Sequence, residues 1–201
     1  MDAQDCWIQI LKSQPELSDG ELRSLVRLLL HEKEDFLIEK LKRHEEQSFV
    51  LECLGYLGTE KALPWILRSL SEREEALQLA AAAALKNFPQ EWLLEPLMNI
   101  VLKQLPGAAK AGEVLLSLGQ DARDLLWEAW FIEDNDSTVR AQILALLTEA
   151  NDPRSEAIAF LALESDEDEL IKAGLSTVAA LESQALWGNV ANCLNHPNWA
   201  I

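Results

Sequence analysis

The sequence predicts an all-α protein organised as a solenoid, a side-by-side stack of two-helix units, and three observations carry that prediction. Leucines recur at equivalent places, Leu54, Leu85, Leu116 and Leu147, each 31 residues after the last, and a fixed interval of this size marks a repeat array. Apolar residues fall at helical spacing along the chain, whereas glycines number only eight and β-branched runs are scarce. Capping residues, glycines and prolines punctuate the helical runs at intervals that fit short hairpins.

The best-formed copy is Asn135 to Leu147, NDSTVRAQILALL. Val139-Arg140 opens its apolar run, Ile171-Lys172 stands at the same place 32 residues on, and 30 residues further the chain reaches Ile201 in the stretch His196-Pro197-Asn198-Trp199-Ala200-Ile201. The stretch Cys53-Leu54-Gly55-Tyr56-Leu57-Gly58, followed by Ala62-Leu63-Pro64, resembles the small-Leu-Gly-x-Leu-Gly turn that closes the inner helix of HEAT-like repeats, of the type also found in phycobilin lyases. The resemblance runs from about Glu34 to the C-terminus. It implies a right-handed α-solenoid (α-α superhelix) of about five HEAT-like helical hairpins, with inner helices lining a concave surface. Residues 1–33 are then an N-terminal helical cap and 34–201 the repeat array. The Arg that usually follows the apolar opener survives as Arg140, is replaced by Lys172, and is Gln78 and Ala109 in the other two copies. A continuous Asp-Arg ladder is therefore not expected, and apolar packing must hold the repeats.

In chain order, Asp2 to Lys12 is a short amphipathic segment ended by Pro15. Ser18 and Glu21 form a capping box for a helix that buries Leu22, Leu25, Val26, Leu28 and Leu29. An outer helix follows from Asp35, then an inner helix with Phe49, Val50, Cys53, Leu54 and Leu57 that Gly58 closes by taking a positive φ. Thr59 caps an outer helix to Leu70. Ser71 with Glu74 makes a second capping box before an inner helix containing Ala80 to Ala84, whose small side chains let neighbouring helices approach. Pro89 ends it. The next hairpins are Glu91 to Lys103 with Ala108 to Leu118, then Asp121 to Glu133 with Ser137 to Glu149, capped by Asn135 or Asp136. Asp152-Pro153 starts another outer helix, its partner runs from about Glu167 to Leu181, and a last outer helix runs from about Ser183 to Leu194. The final residues look like one more inner helix cut short, which would leave Ala185, Leu186, Val190 and Leu194 uncovered; the natural polypeptide is expected to continue beyond Ile201.

The net charge of −17, with 34 acids against 17 bases, opposes binding to a phosphate backbone, which works by counterion release to clustered Lys and Arg. No nucleic acid or membrane partner is expected. The strip Lys40, Lys42, Arg43 and His44 reads as a solvated helix end. Cys6, Cys53 and Cys193 are odd in number and widely spaced, as reduced cytoplasmic thiols would be. The N-terminus MDAQD lacks the positive start of a signal peptide.

No catalytic or metal motif is found, and no cofactor is expected. His31-Glu32 and His44-Glu45 bear on HEAT-like iron hydroxylases, which need four His-Glu pairs where this chain has two. The acidic clusters Glu133-Asp134-Asn135-Asp136 and Glu164 to Glu169 lack the glycine of a calcium loop and stand where carboxylates stabilise helix N-termini. There is no G-x-S-x-G, P-loop or G-x-G-x-x-G. Among the tryptophans, Trp7, Trp130 and Trp187 fit core positions, while Trp65 and Trp127 are either exposed anchors or covered by adjacent repeats.

The function these features favour is a non-enzymatic cytoplasmic scaffold or adaptor that binds another protein or peptide on the inner helices. Gln47, Glu52, Gln78, Lys110, Arg140, Gln142 and Lys172 are its contact positions, with Trp65 and Trp127 as anchors. The alternative is a phycobilin lyase-like enzyme or accessory subunit.

Overall fold

The computed structural model describes residues 18–132 and 134–194. These residues are all-helical, with twelve α-helices, three single-turn 3-10 segments and no strand among them. The chain divides into two compact units, Met1–Leu93 and Leu94–Ile201.

The first unit contains α1 (Asp19–Leu30), α2 (Glu34–Lys42), α3 (Gln47–Leu57), α4 (Leu63–Leu70) and α5 (Glu75–Leu85). At the start of α1 the backbone N–H of Ser18 donates to the Glu21 carboxylate at 2.9 Å, satisfying a group that no helical turn can reach. The Ser18 hydroxyl, then that backbone bond, lower the Glu21 pKa. Helices α2 and α3 form one hairpin and α4 and α5 the next, and α3 also packs against α5 and α1. Gly58 closes α3 at φ +62°, and Pro64 sits in the first turn of α4, where a missing N–H costs nothing. The closest approach of α3 to α5 is at Gly55, where a Cβ would lie 2.7 Å from the Ala84 backbone. Two small residues thus set how near α3 and α5 stand, and Val50, Leu51, Leu54, Ile66, Leu70 and Leu85 are fully buried around them.

The second unit contains α6 (Leu94–Leu102), α7 (Ala108–Ser117), α8 (Gln120–Trp130), α9 (Ser137–Glu149), α10 (Ser155–Leu163), α11 (Asp168–Leu181) and α12 (Trp187–Cys193). The hairpins are α6 with α7, α8 with α9, and α10 with α11; within the unit α9 also packs on α7 and on α11. Asp136 caps α9 by accepting from the Val139 N–H at 2.9 Å, which decides between the two candidate caps. The repeat interval is visible in the side-chain bonds of both units. Arg27 donates to the Tyr56 carbonyl 29 residues on, Thr148 bonds Thr177 29 residues on, and Arg154 reaches Asp124 across 30.

Several sequence expectations are corrected. The Ser71 hydroxyl donates back to the Leu67 carbonyl, so no Ser71-Glu74 capping box forms and α5 starts without a side-chain cap. Leu28 is 75% exposed, because the buried stripe of α1 runs through Val26 and Leu30. Trp187 is 63% exposed; it opens a helix of only seven residues, and the core there closes on Leu186 instead. Leu186 is thus buried, not left uncovered, while Leu194 is exposed. Lys40 is no solvated helix end: it is buried, pairs with Glu45 at 3.0 Å and lies over the Phe36 ring. Trp130 is buried as expected. Trp7, Cys6, the segment Asp2 to Lys12, Glu133 and the His196 to Ile201 stretch lie outside the described residues.

Candidate functional site

In the first unit α1, α3 and α5 line a pocket of about 860 Å³. The alanine run of α5 makes its floor: Ala80 and Ala83 point into it because Ala81, Ala82, Ala84 and Leu85 take the buried positions of the same helix. Gly20 of α1 adds a second small residue, and Phe49 and Tyr56 of α3 form an aromatic wall. The polar rim comes from Arg23, Glu52 and Lys86. One nitrogen of the Arg23 guanidinium donates to the Asn87 side-chain carbonyl. The Tyr56 hydroxyl donates to the Glu52 carboxylate at 3.1 Å, which draws that acid to the tyrosine side. A cavity of this size, apolar with a few placed polar groups, has the form of a ligand or peptide site.

Glu52 is the one sequence-predicted contact residue on this pocket. Gln47 and Trp65 share a smaller recess of about 260 Å³ with Lys42, His44 and Glu72. There the Lys42 ammonium lies 4.9 Å from the centre of the Trp65 ring, the Gln47 amide meets the His44 ring at 3.1 Å, and Gln78 donates to the Glu72 carbonyl at 2.6 Å. Trp65 is accordingly half-buried rather than free.

In the second unit the predicted residues are spread over separate partners. Lys110 pairs with Glu113 at 2.6 Å, Lys172 with Glu169 at 3.5 Å, and Gln142 accepts from Gln104. Arg140 donates to the Ile132 carbonyl at 3.2 Å, while its buried Nε has no partner and no ladder aspartate takes it among the described residues. Trp127 is half-buried, edge-on to Phe131 at 5.1 Å and 5.3 Å beneath the Arg154 guanidinium. Arg140 and Trp127 thus both reach the turn at Phe131 and Ile132, whose side chains are about half exposed.

Cys53 is buried and Cys193 half-buried, neither in a disulfide; burial, then the nearby Glu164 charge, pushes the Cys193 thiol up. Among the described residues no group of three or more His, Cys, Asp or Glu gathers as a metal site, and no helix is long and apolar enough to cross a membrane. His44 bonds Gln47.

Sequence reasoning missed Arg23, Lys86 and Asn87. Arg23 and Asn87 stand 64 residues apart, about two repeat intervals, so only the stacking of α1, α3 and α5 joins them. Compared with protein-family models and with curated proteins, the chain matches none.

Proposed function

We propose that this protein is a non-enzymatic scaffold that binds another protein through the inner helices of HEAT-like hairpins stacked as a right-handed α-solenoid. The observation that supports this most is the pocket of about 860 Å³ on α1, α3 and α5, floored by alanine and walled by Phe49 and Tyr56. Small floor residues let a partner's backbone come close, and aromatic walls supply apolar area at low entropic cost. The hairpin pairing within each unit, with inner helices packed on inner helices, agrees with the repeat reading. A cytoplasmic setting belongs to the same proposal and is supported by Cys193, a half-buried thiol outside any disulfide.

Photo-crosslinking in cells tests it. A photoreactive residue placed at Glu52 or Lys110, on inner helices, is expected to trap one recurrent protein partner. The same residue at exposed Glu95 or Glu128 of α6 and α8 is expected to trap little. Equal trapping at both sets, or trapping only on the outer helices, overturns the proposal.

A further inference from the structure

We infer that the pocket of the first unit takes an acidic, amphipathic peptide segment of the partner, an apolar side chain on the alanine floor and a carboxylate between Arg23 and Lys86. This rests on the protein-binding reading and adds the chemistry of what is bound.

The charge pattern carries the inference. The chain has twice as many acids as bases, yet among the described residues the pocket is lined by two cations and a single carboxylate, and that carboxylate is engaged by the Tyr56 hydroxyl. Arg23 spends one nitrogen on the neutral Asn87 carbonyl. One turn further along α1, Arg27 bonds the neutral Tyr56 carbonyl. Among the described residues none of Arg23, Arg27 or Lys86 is paired with a carboxylate. A guanidinium already oriented by one neutral acceptor keeps its remaining N–H groups in a fixed fork, the geometry a carboxylate accepts in two parallel bonds. Inside a partly enclosed cavity the attraction is less screened than on open surface.

Shape selects the rest of the ligand. Ala80, Ala83 and Gly20 offer an apolar floor with no side chain standing in the way, and Phe49 flanks it, so an aliphatic or aromatic anchor next to the acid finds a seat. A nucleic acid would meet the same two cations but also the field of a chain with net charge −17, which repels a phosphate backbone at range.

The test uses the full chain and a library of fluorescein-labelled amphipathic peptides made as matched pairs, identical except that glutamates in one member are lysines in the other. Fluorescence polarisation is expected to find binders among the acidic members, with affinity falling as salt rises. Ala83→Trp, which fills the floor from an exposed position, and Lys86→Glu, which reverses an exposed rim charge, are each expected to weaken binding at least tenfold while helical content is unchanged. The inference is overturned by lysine members binding as well as glutamate members, by the absence of any acidic binder, by binding indifferent to Ala83→Trp, or by competition from a single-stranded oligonucleotide. Inner-helix crosslinking that persists alongside any of those results leaves the scaffold standing and removes only the acidic ligand.

Discussion

Arg154 lies with its guanidinium 5.3 Å from the centre of the Trp127 ring while two of its nitrogens clasp Asp152, at 2.8 and 2.7 Å, and a third takes Asp124 at 2.8 Å. One side chain at the start of α10 thereby ties that helix to α8, in the preceding hairpin. The two carboxylates differ. Asp124 sits on the surface, where pairing stabilises little; Asp152 is 2% exposed, so its charge is held by Arg154 and the Arg154 backbone N–H rather than by water.

Asp152→Asn is therefore expected to lower unfolding stability at neutral pH by about 1–3 kcal/mol, the range for hydrogen bonds to a charged group. The Arg154 bond first, then its backbone N–H and its charge, hold the Asp152 carboxyl below the usual range. The folded state thus favours the ionised form. This contribution is complete above the unfolded value, about 3.9, and is lost as pH falls through the depressed folded value. Urea titrations of the two proteins should differ at pH 7 and converge in strong acid. A gap that stayed constant down the acid limb would show that Asp152 acts by shape alone.

Two glycines make opposite predictions from the same substitution. Gly55→Ala sets a Cβ against the Ala84 backbone at 2.7 Å, so α3 and α5 must part, at an overpacking cost of about 1–3 kcal/mol. Gly112→Ala meets the tip of the Leu146 side chain at 2.5 Å. A leucine tip can swing aside, and alanine gains about 1 kcal/mol of helix propensity over glycine. Gly55→Ala should have clearly the lower Tm; equal melting temperatures would contradict the close packing of α3 on α5.

The helical content and most hairpin partners were legible in the sequence because they are written locally, in apolar spacing and in caps such as Ser18, Gly58 and Asp136. The pocket was half legible. The alanine run announced a close approach of helices, and Glu52 was placed on the inner face, but Arg23, Lys86 and Asn87 belong to different repeats and nothing local connects them. For Trp65 and Trp127 the sequence leaves exposed anchor and covered side chain as alternatives. What periodicity could not show is that Lys42 and Arg154 come from neighbouring hairpins to cover them. The misreading of Trp187 has a similar origin: helical spacing identifies a face, and only the packing of α12 decides that Leu186 and Val190, not Trp187, turn inward.

Trp130 and Trp187 supply a test by accessibility. Trp130 is 5% exposed and Trp187 63%. In proteins with the other tryptophans replaced by phenylalanine, iodide should quench Trp187 strongly and Trp130 barely. Trp130→Ala should cost about 3–5 kcal/mol, as large core truncations do, and Trp187→Ala within about 0.5 kcal/mol, as at ordinary surface sites. Comparable quenching of the two would place α12 differently against α11.

The ends of α3 and α11 give a matched pair of backbone predictions. Both helices end on a residue in the left-handed region, Gly58 at φ +62° and Glu182 at φ +50°. Glycine adopts that conformation freely, whereas a residue with a Cβ strains against the following carbonyl by about 1–2 kcal/mol. Gly58→Ala should accordingly destabilise by about 1–2 kcal/mol through backbone strain alone, since the added Cβ meets the Asn87 carbonyl at an ordinary contact distance of 3.4 Å. Glu182→Gly reverses the situation at an exposed position. It relieves the strain but enlarges the freedom of the unfolded chain, so the net gain should be smaller, about 0.5 kcal/mol. Denaturant midpoints at constant m-value decide both; a Glu182→Gly protein less stable than its parent would mean that the Glu182 side chain contributes more to closing α11 than its backbone costs.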